Sequence, residues 1–322
     1  MSFTNFPNGI TSFGVPVFGG GDRGPIFGNV YFVDGTNGSD DHPGTSPTEA
    51  KATIQAMLTY QIANNSGLGD VIYVMPGTYI ESLTGTMNKV AIIGLQTGGG
   101  ASHMASIRPA SSYSYTGSMT DSAFRNLVLM SPSTTNTEYA AIMPTYMGYS
   151  AIENCFICGR AAGSVVGIQI GTPTDDATVV KCDYSSISNN TISTFYGSGC
   201  QFAYGIQHGA LAGTNSAYKQ MLGTMIYNNK ITASTGGISI CGGVAKNYGS
   251  VISYNVIDSF ESSAGPTYGI VSAVQSQDAP LVINNYIKAV TDCIKNFLDE
   301  NVMGNWCALN QATPVQENPA GA

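Results

Sequence analysis

Residues 281–290 read LVINNYIKAV and set two asparagines, Asn284 and Asn285, inside a run of strong strand formers. Asparagine is depleted in β-strands and favoured where the backbone bends or takes left-handed angles. This stretch therefore predicts two short strands that meet at a corner.

The same arrangement recurs along the chain: an asparagine is followed two positions later by an apolar residue and preceded by another. The six copies lie 26 to 39 residues apart and are marked by Asn126, Asn154, Asn190, Asn229, Asn255 and Asn285. After each copy comes a second apolar strand, centred on a small residue and an isoleucine. These pairs are Ala141-Ile142, Gly167-Ile168, Gly205-Ile206, Gly237-Ile238, Gly269-Ile270 and Cys293-Ile294.

Repeats of this length with no helical periodicity indicate a stack of similar coils. A propeller blade needs four strands in about 40 to 45 residues, more than the shortest repeat can hold. In a right-handed parallel β-helix each repeat is one coil, and equivalent strands pair about 4.8 Å apart. Each asparagine would then lie at a corner and hydrogen-bond to the corner asparagine of the next coil. The alternative is a β-sandwich with unrelated turn asparagines, but it does not explain the paired second strand.

The amino-acid composition limits the kinds of partner that the protein is expected to bind. The net charge is −8, the isoelectric point is about 4.7 and only 10% of residues are charged, so no basic patch for nucleic acid is expected. No apolar stretch is long enough to cross a bilayer, and no basic segment precedes an apolar one. We therefore expect neither membrane insertion nor an export signal.

The cysteines suggest buried thiols. There are seven, an odd number, and several lie singly near predicted strands: Cys182, Cys200, Cys241 and Cys293. We expect them to be reduced in a stacked core rather than joined in a disulfide framework. Cys155 and Cys158 form a C-x-x-C, but no second pair or nearby histidine completes a zinc site, so neither a metal nor a cofactor is expected.

The first segment, residues 1–28, is predicted to be an extended arm. It is rich in phenylalanine, glycine and proline, and neither a helix nor a strand period runs through it. Such an arm cannot bury its own aromatic rings. We expect it to attach the protein to another surface through Phe3, Phe6, Phe13 and Phe18.

The other segments form the body of the protein. Residues 29–306 are expected to form the β-helix, whose open end is capped by a helix over about 48–63 with an apolar face. Residues 307–322 are expected to be an irregular, exposed tail. The predicted fold is thus all-β: a right-handed parallel β-helix with an N-terminal capping helix and an extended arm.

The start of the β-helix region resembles that of pectate-lyase-like right-handed β-helix proteins. The strings that carry the resemblance are FVDGTNGSDDHPGTSP, ATIQAML, GDVIYVMPGTYIE and VAIIG, and it covers about residues 29–94 by motif and 120–295 by repeat. More narrowly, FPNGITSFGVPVFGGG followed by GNVYFVD is similar to the start of bacteriophage virion structural proteins of this class. That resemblance implies a homotrimer on the particle surface, as a capsid decoration or a tail spike.

Neither of the two kinds of active site known in such proteins can be assigned to this chain from a sequence motif. Lyases of the class hold calcium with clustered acids and use arginine or lysine as the base, but here only Arg125 and Arg160 lie near acids in the coils. Tailspike hydrolases use two carboxylates. The candidate pairs are Asp175 with Asp176, Asp258 with Glu261, and Asp299 with Glu300, all in loops where a solvated turn carboxylate is the simpler interpretation. His103 and His208 have no nucleophile pattern beside them.

Tyrosines are the remaining candidates for contacts. Two loop clusters contain Tyr113, Tyr115, Tyr146 and Tyr149. Exposed aromatic rings can stack on sugars or anchor a protein interface. We favour contacts between chains, because a β-helix with few charges has flat sides that suit threefold packing.

Two functions remain open. The first is a trimeric virion structural protein, a capsid decoration or cement protein that its arm anchors to the major capsid protein or a tail adaptor. The second is a short tailspike that binds or cleaves a host surface polysaccharide. We assign no catalytic residue and favour a protein that is not an enzyme; an active one would be a depolymerase of the hydrolase or lyase type. Either would be assembled in the host cytoplasm and displayed on the virion surface.

Overall fold

The structure is a computed structural model of the 322-residue chain. It describes residues 11–12, 15–16, 28–65, 67–96, 104–132, 140–160, 166–171, 180–194, 202–209, 219–240, 248–258, 266–272, 280–309 and 315–317. Within the predicted arm, β1 (Thr11–Ser12) and β2 (Val15–Pro16) form a small antiparallel pair. Phe3, Phe6, Phe13 and Phe18 lie outside the described residues.

The chain winds into a right-handed parallel β-helix, which confirms the predicted fold. Three sheets run along the column. Sheet 1 contains β3 (Val30–Val33), β4 (Asp70–Val74), β8 (Val90–Gly94), β11 (Ala123–Arg125), β14 (Ala151–Glu153), β18 (Ser186–Ser188), β22 (Met225–Tyr227), β24 (Val251–Ser253), β27 (Leu281–Ile283) and β30 (Val302–Met303).

Sheets 2 and 3 share one long strand, β23 (Lys230–Ile240), which continues from one to the other. Sheet 2 also contains β5 (Gly77–Tyr79), β9 (Ala105–Ile107), β12 (Leu127–Met130), β15 (Phe156–Gly159), β19 (Thr191–Thr194), β25 (Val256–Asp258), β28 (Tyr286–Ala289), β31 (Asn305–Leu309) and β32 (Val315–Glu317). Sheet 3 also contains β6 (Leu83–Thr84), β7 (Met87–Asn88), β10 (Tyr115–Thr120), β13 (Ala140–Gly148), β16 (Val166–Ile170), β17 (Val180–Asp183), β20 (Phe202–His208), β21 (Lys219–Leu222), β26 (Tyr268–Ser272) and β29 (Asp292–Lys295).

Isoleucines stack inside the column because equivalent strands of successive coils pair in register. One stack on sheet 3 joins Ile142, Ile168, Ile206, Ile238, Ile270 and Ile294. Burying each such side chain contributes about 1.5–3 kcal/mol, so the repeated isoleucine adds substantially to the stability of each coil.

Glycine precedes the isoleucine because the neighbouring strand fills the space that a side chain would need. A β-carbon on Gly205 would lie 2.3 Å from Cγ2 of Ile231, and one on Gly237 would lie 2.3 Å from Cγ2 of Ile257. Real β-carbons do not approach so closely. The small residue noted in the sequence is therefore a packing requirement between sheets 2 and 3.

The corner between sheets 1 and 2, here called the asparagine corner, contains two adjacent kinds of residue. The first has a positive φ, as in Asn228 (φ 54°) and Asn284 (φ 53°). The second is buried, and its side-chain oxygen accepts the backbone N–H of its counterpart in the preceding coil. This ladder joins Asn190, Asn229, Asn255, Asn285 and Asn305, with N···O distances of 2.9–3.1 Å.

Two of the six predicted ladder residues are one position out of register. Asn126 and Asn154 both have φ 55° and therefore occupy the first, left-handed position of the corner. The buried position after Asn154 is taken by Cys155, whose N–H donates to Oδ1 of Asn190 at 2.9 Å. The ladder accordingly starts at Asn190 and extends to Asn305, which the repeat pattern missed.

A second ladder, of hydroxyl groups, runs along the corner between sheets 3 and 1, here called the serine corner. Backbone N–H groups donate to Oγ of the next coil from Val90 to Ser122 and from Ser122 to Ser150, each at 3.2 Å. It continues through Ser185, Thr224 and Ser250. The residue before each rung again has a positive φ, for example Tyr149 at 51°.

The capping helix begins later than predicted. A 3₁₀ turn, Pro47–Glu49, precedes α1, Ile54–Asn65, which packs on β3, β4 and β6 through Ile54, Met57 and Leu58. Its first N–H groups are held by a distant side chain: Glu81 accepts from Ile54 at 3.0 Å and Gln55 at 2.8 Å. The helix starts where these acceptors lie.

The C-terminal end differs from the prediction in two ways. Cys293 and Cys307 form a disulfide, with Cα atoms 5.9 Å apart, so the expectation of a reduced Cys293 is wrong. The tail beyond Cys307 is not wholly irregular, because Val315–Glu317 pairs antiparallel with β31 and satisfies the hydrogen-bonding groups of that edge. A second 3₁₀ turn, Asp299–Asn301, precedes β30.

Candidate functional site

The most promising surface is the outer face of sheet 3. Side chains alternate along a strand, so Gln169 faces outward between the core residues Ile168 and Ile170. The register places Gln207 and Ser239 directly beside it on the next two coils, and all three side chains are buried. A second outward row lies three residues earlier in each strand. The β-carbon position of the packed glycine and the isoleucine after it both point into the core, so the alternation is interrupted there and the strand is kinked.

This second row is aromatic, and we call it the tyrosine row. The register aligns Val166, Tyr204, Gly236, Tyr268 and Asp292 on successive coils. Tyr204 packs in one outward cluster with Val166, Ala140, Met143 and Tyr113. Tyr113, Tyr204 and Tyr268 are all partly exposed, and Tyr204 and Tyr268 lie two coils, or roughly 10 Å, apart.

Gly236 makes room for an aromatic ring in this row. A β-carbon there would lie 2.8 Å from Cδ1 of Tyr204, so the ring lies over the glycine. Burial, with a smaller effect of the neighbouring Tyr268, raises the pKa of Tyr204. Tyr204 therefore stays neutral at physiological pH and presents an apolar ring with a polar tip.

Charged groups lie at the C-terminal end of the row. Nζ of Lys295 is 4.3 Å from the ring centre of Tyr268 and donates to its hydroxyl at 3.2 Å. The same ammonium group is 3.9 Å from Asp292, and both charged side chains are well exposed. The end of the row thus holds a solvated ion pair against an aromatic ring, a contact that stabilises by about 0.5–1 kcal/mol at exposed sites.

A separate aromatic cluster lies at the serine corner. The rings of Tyr149 and Tyr184 are stacked, with centroids 5.2 Å apart and an angle of 12° between planes. The ring of Tyr184 also covers Gly223, where a β-carbon would lie 2.6 Å from it. Tyr146 lies close by, and burial raises its pKa, with Asp183 and Tyr149 contributing.

The structure therefore separates the four tyrosines that the sequence singled out. Tyr113 belongs to the outer face of sheet 3, and Tyr146 and Tyr149 belong to the serine corner. The expectation that Tyr115 contacts a glycan or another chain is wrong, because its side chain is fully buried against Phe124 at 5.0 Å. Its hydroxyl donates to backbone carbonyls, including that of Gly85 at 2.9 Å.

The other sequence candidates do not form a centre in the described residues. His103, Asp175, Asp176 and Glu261 lie outside them, as does the side chain of Asp299. Asp258 lies 3.9 Å from Lys288, which makes it one half of an exposed ion pair. His208 is fully buried beneath sheet 3. Arg125 and Glu153 form an ion pair at 3.0 Å on sheet 1, whereas the tyrosine row lies on sheet 3.

The C-x-x-C pair is split between two environments. Cys155 is in the core at the asparagine corner, and Cys158 packs with Val128 and Met130 in a separate cluster. Burial raises the pKa of Cys155 to about 12 and that of Cys158 even further. Such thiols are protonated and unreactive at neutral pH. Across the described ranges, no group of three or more His, Cys, Asp or Glu is arranged to hold a metal ion.

Tyr204 and Tyr268 were missed by the sequence analysis, although a signal was present. Both stand directly before the packed glycine, in the tripeptides Tyr204-Gly205-Ile206 and Tyr268-Gly269-Ile270. Once the glycine is known to kink the strand, the residue before it is expected to face outward. Tyrosines at this position in two coils are therefore expected to lie on the same outward face.

Comparisons with known proteins identify the fold of this chain but no family to which it belongs. The sequence matches no protein-family model and no curated protein. Nor does any helix of the described chain have the length and apolarity needed to cross a membrane.

Among solved structures, this chain is similar to the GH136 lacto-N-biosidase from Eubacterium ramulus, with a TM-score of 0.54, 11% identity and 85% of this chain covered. It spans 58% of that enzyme's chain. It is also similar to pectate lyase Pel9A, with a TM-score of 0.50, 14% identity and coverage of 90% of this chain and 78% of the other. At these identities the likeness shows the parallel β-helix fold alone.

Proposed function

We propose that this protein binds a polysaccharide along the outer face of sheet 3 and is displayed on the surface of a bacteriophage particle. The observation that carries the binding proposal is the tyrosine row, in which Tyr204 and Tyr268 face outward two coils apart, with Tyr113 packed in the same outward cluster as Tyr204. Aromatic rings held at fixed spacing suit the apolar faces of sugar rings. The display proposal is supported by the resemblance of the arm to virion structural proteins of this class.

The known carbohydrate-active proteins with this fold support the choice of ligand. The similar structures are named as a lacto-N-biosidase and a pectate lyase, so glycan binding would give this chain a ligand of the same chemical kind. Cleavage by two carboxylates would require a second acid near Asp292, the one carboxylate on the described rows of this face. We therefore propose binding and assign no catalytic residue.

The test is binding of the purified protein to host surface polysaccharides, measured by affinity electrophoresis and titration calorimetry. Tyr204→Ala and Tyr268→Ala should each lower the affinity about tenfold, because truncating a central aromatic contact typically costs more than 1 kcal/mol. Tyr184→Ala, at the serine corner, is the matched control and should bind normally. Absence of binding to any host polysaccharide would reject the proposal, and released oligosaccharide would show that the protein also cleaves.

A second candidate function, trimeric capsid decoration, is favoured by an exposed apolar surface. Around the asparagine corner of the last coils, large apolar side chains are 41–62% exposed: Tyr254, Val256, Tyr286, Met303 and Trp306. Monomeric proteins rarely expose so many neighbouring apolar residues. We propose that this apolar corner packs against two further copies of the chain.

Native mass spectrometry tests the trimer. The wild-type protein should have the mass of three chains, and the double variant Met303→Glu/Trp306→Glu should have the mass of one. Deleting residues 2–20 tests the arm separately: it should abolish attachment to the particle and leave the trimer mass and melting temperature unchanged. A wild-type monomer at micromolar concentration would contradict the trimer, and particle attachment without the arm would contradict its role.

A further inference from the structure

We infer that the outer face of sheet 1 in the last coils receives the apolar corner of a neighbouring copy, so that three columns lie side by side around one axis. This inference rests on the proposed trimer and specifies the second surface of its contact. It follows from the symmetry of a trimer and from the position and charge of two rows of side chains.

A trimer needs two different surfaces on each copy. In a ring of three, a patch on one copy meets a different patch on the next, whereas a contact between identical patches closes a dimer. The apolar corner supplies one surface through Val256, Tyr286 and Trp306, which the register aligns on successive coils of sheet 2. A second surface of matching character is therefore required at the same level of the column.

Met225, Val251 and Leu281 form a row that meets this requirement. The register aligns them on successive coils of sheet 1. They face outward, because the residue that follows each of them lies in the hydrophobic core and side chains alternate along a strand. Met225 is 45% exposed, Leu281 is 43% exposed and Val251 is partly exposed. The row is thus an apolar strip that another molecule can reach.

No charged residue interrupts the last four strands of sheet 1. Strands β22, β24, β27 and β30 read MIY, VIS, LVI and VM. In earlier coils, the same sheet carries the ion pair of Arg125 and Glu153. The central part of a protein interface is depleted of charged residues, so the uncharged part of sheet 1 suits burial against a second copy. These are also the coils that contain the apolar corner.

The two rows flank the asparagine corner at the same level of the column. In one coil Val251 precedes the corner on sheet 1 and Val256 follows it on sheet 2, and in the next coil Leu281 and Tyr286 are placed in the same way. Rotation about an axis parallel to the column keeps each residue at its own level. An axis beside the asparagine corner therefore brings Leu281 of one copy opposite Tyr286 of the next. It likewise brings Val251 opposite Val256.

The experiment is charge complementation between copies, measured by native mass spectrometry. Leu281→Lys and Tyr286→Glu should each weaken the trimer at least about tenfold, because each places an unpaired charge in an apolar contact. The double variant Leu281→Lys/Tyr286→Glu should recover most of the trimer, because the two new charges meet between copies. The matched control is Leu281→Lys/Tyr286→Lys, which should stay monomeric.

Two further measurements support the comparison. Leu68→Lys changes an apolar side chain of similar exposure, 51%, in the first coils, and it should form the same trimer as the wild type. Trp306 is the one tryptophan of the chain and lies in the apolar corner, so its emission reports burial of that corner. The emission should shift to shorter wavelengths when the trimer forms, and Leu281→Lys should prevent the shift.

The outcomes separate this inference from the proposed trimer. A wild-type monomer or dimer would overturn both. A wild-type trimer that Leu281→Lys leaves intact, or that the oppositely charged double variant does not restore, would overturn this inference alone and leave the outer face of sheet 1 for a different partner. If circular dichroism shows that Leu281→Lys does not fold, the same charges at the next pair, Val251→Lys/Val256→Glu, decide.

Discussion

The backbone N–H of Asn229 donates to Oδ1 of Asn255 in the next coil at 3.0 Å, and the Asn255 amide nitrogen donates back to the carbonyl of Ile226, also at 3.0 Å. The buried side chain of Asn255 is thus the hydrogen-bond partner of two backbone groups that the corner between sheets 1 and 2 would otherwise leave without one. Because water cannot reach these groups, the corner is stable only if the asparagine ladder pairs them.

Removing one rung should destabilise the column. Asn255→Ala leaves the Asn229 N–H and the Ile226 carbonyl unpaired, and each buried unpaired group costs about 1–3 kcal/mol. We expect a loss of about 3 kcal/mol in the free energy of unfolding, measured by urea denaturation.

Asn228→Gly is the matched control. Asn228 is exposed at the left-handed position (φ 54°), which glycine adopts without strain, so the change should stay within about 1 kcal/mol. Equal losses for the two variants would show that the corner is held by backbone geometry and not by the buried amide.

The packed glycine gives a second prediction. In Gly237→Ala, the new methyl group would lie 2.3 Å from Cγ2 of Ile257 and 2.7 Å from the carbonyl oxygen of Gly269. Overpacking of this kind costs about 1–3 kcal/mol, and we expect about 2 kcal/mol here. In an Ile257→Ala background the same substitution should cost less, because the shorter clash with Cγ2 of Ile257 is gone and only the contact with the Gly269 carbonyl oxygen remains. Additive losses in this double-mutant cycle would contradict the assigned clash.

The repeat could be predicted from the sequence because its spacing, its asparagines and its isoleucines are all local features. The register of Asn126 and Asn154 could not be predicted, because the two corner positions are adjacent and both accept asparagine. The first position favours asparagine because it tolerates a positive φ, and the second favours it because its amide can pair when buried. Tyr115 was misplaced for a similar reason. A loop of serines and tyrosines looks polar in sequence, but the ring is buried and only its hydroxyl needs a partner.

The candidate site was harder to predict than the fold. Which face Tyr204 and Tyr268 share depends on the kink at Gly205 and Gly269, and that kink becomes evident only from packing against the next strand. The pairing of Cys293 with Cys307 likewise depends on the separation of their Cα atoms after the chain has wound through one more coil.

The disulfide gives a third prediction. It links residues 14 apart in sequence, and a loop of about this length stabilises by about 3 kcal/mol. Reduction should therefore lower the unfolding free energy by about that amount, and Cys293→Ala/Cys307→Ala should show the same loss with no further response to reductant. Burial keeps the remaining described thiols, including Cys182 with a pKa raised to about 12, unreactive until the column unfolds. Rapid labelling of the folded protein by a thiol reagent at Cys182 would contradict this.

The acid that holds the start of α1 should make stability depend on pH. Burial raises the pKa of Glu81, and the two N–H bonds from Gln55 and Ile54 only partly offset this effect. The folded state therefore binds more protons than the unfolded state between the ordinary glutamate pKa and the raised one, and the free energy of unfolding falls as the pH rises through that window.

Glu81→Gln should remove this contribution, because glutamine does not titrate and keeps one acceptor for the helix N–H groups. The measurement is the difference in unfolding free energy between wild type and variant across this pH window, which cancels the acids that both proteins share. The unfolding free energy of Glu81→Gln should therefore increase relative to that of the wild type as the pH rises. A difference that stays constant with pH would mean that the two N–H bonds fully compensate for burial, and that the helix start is held by a carboxylate of ordinary acidity.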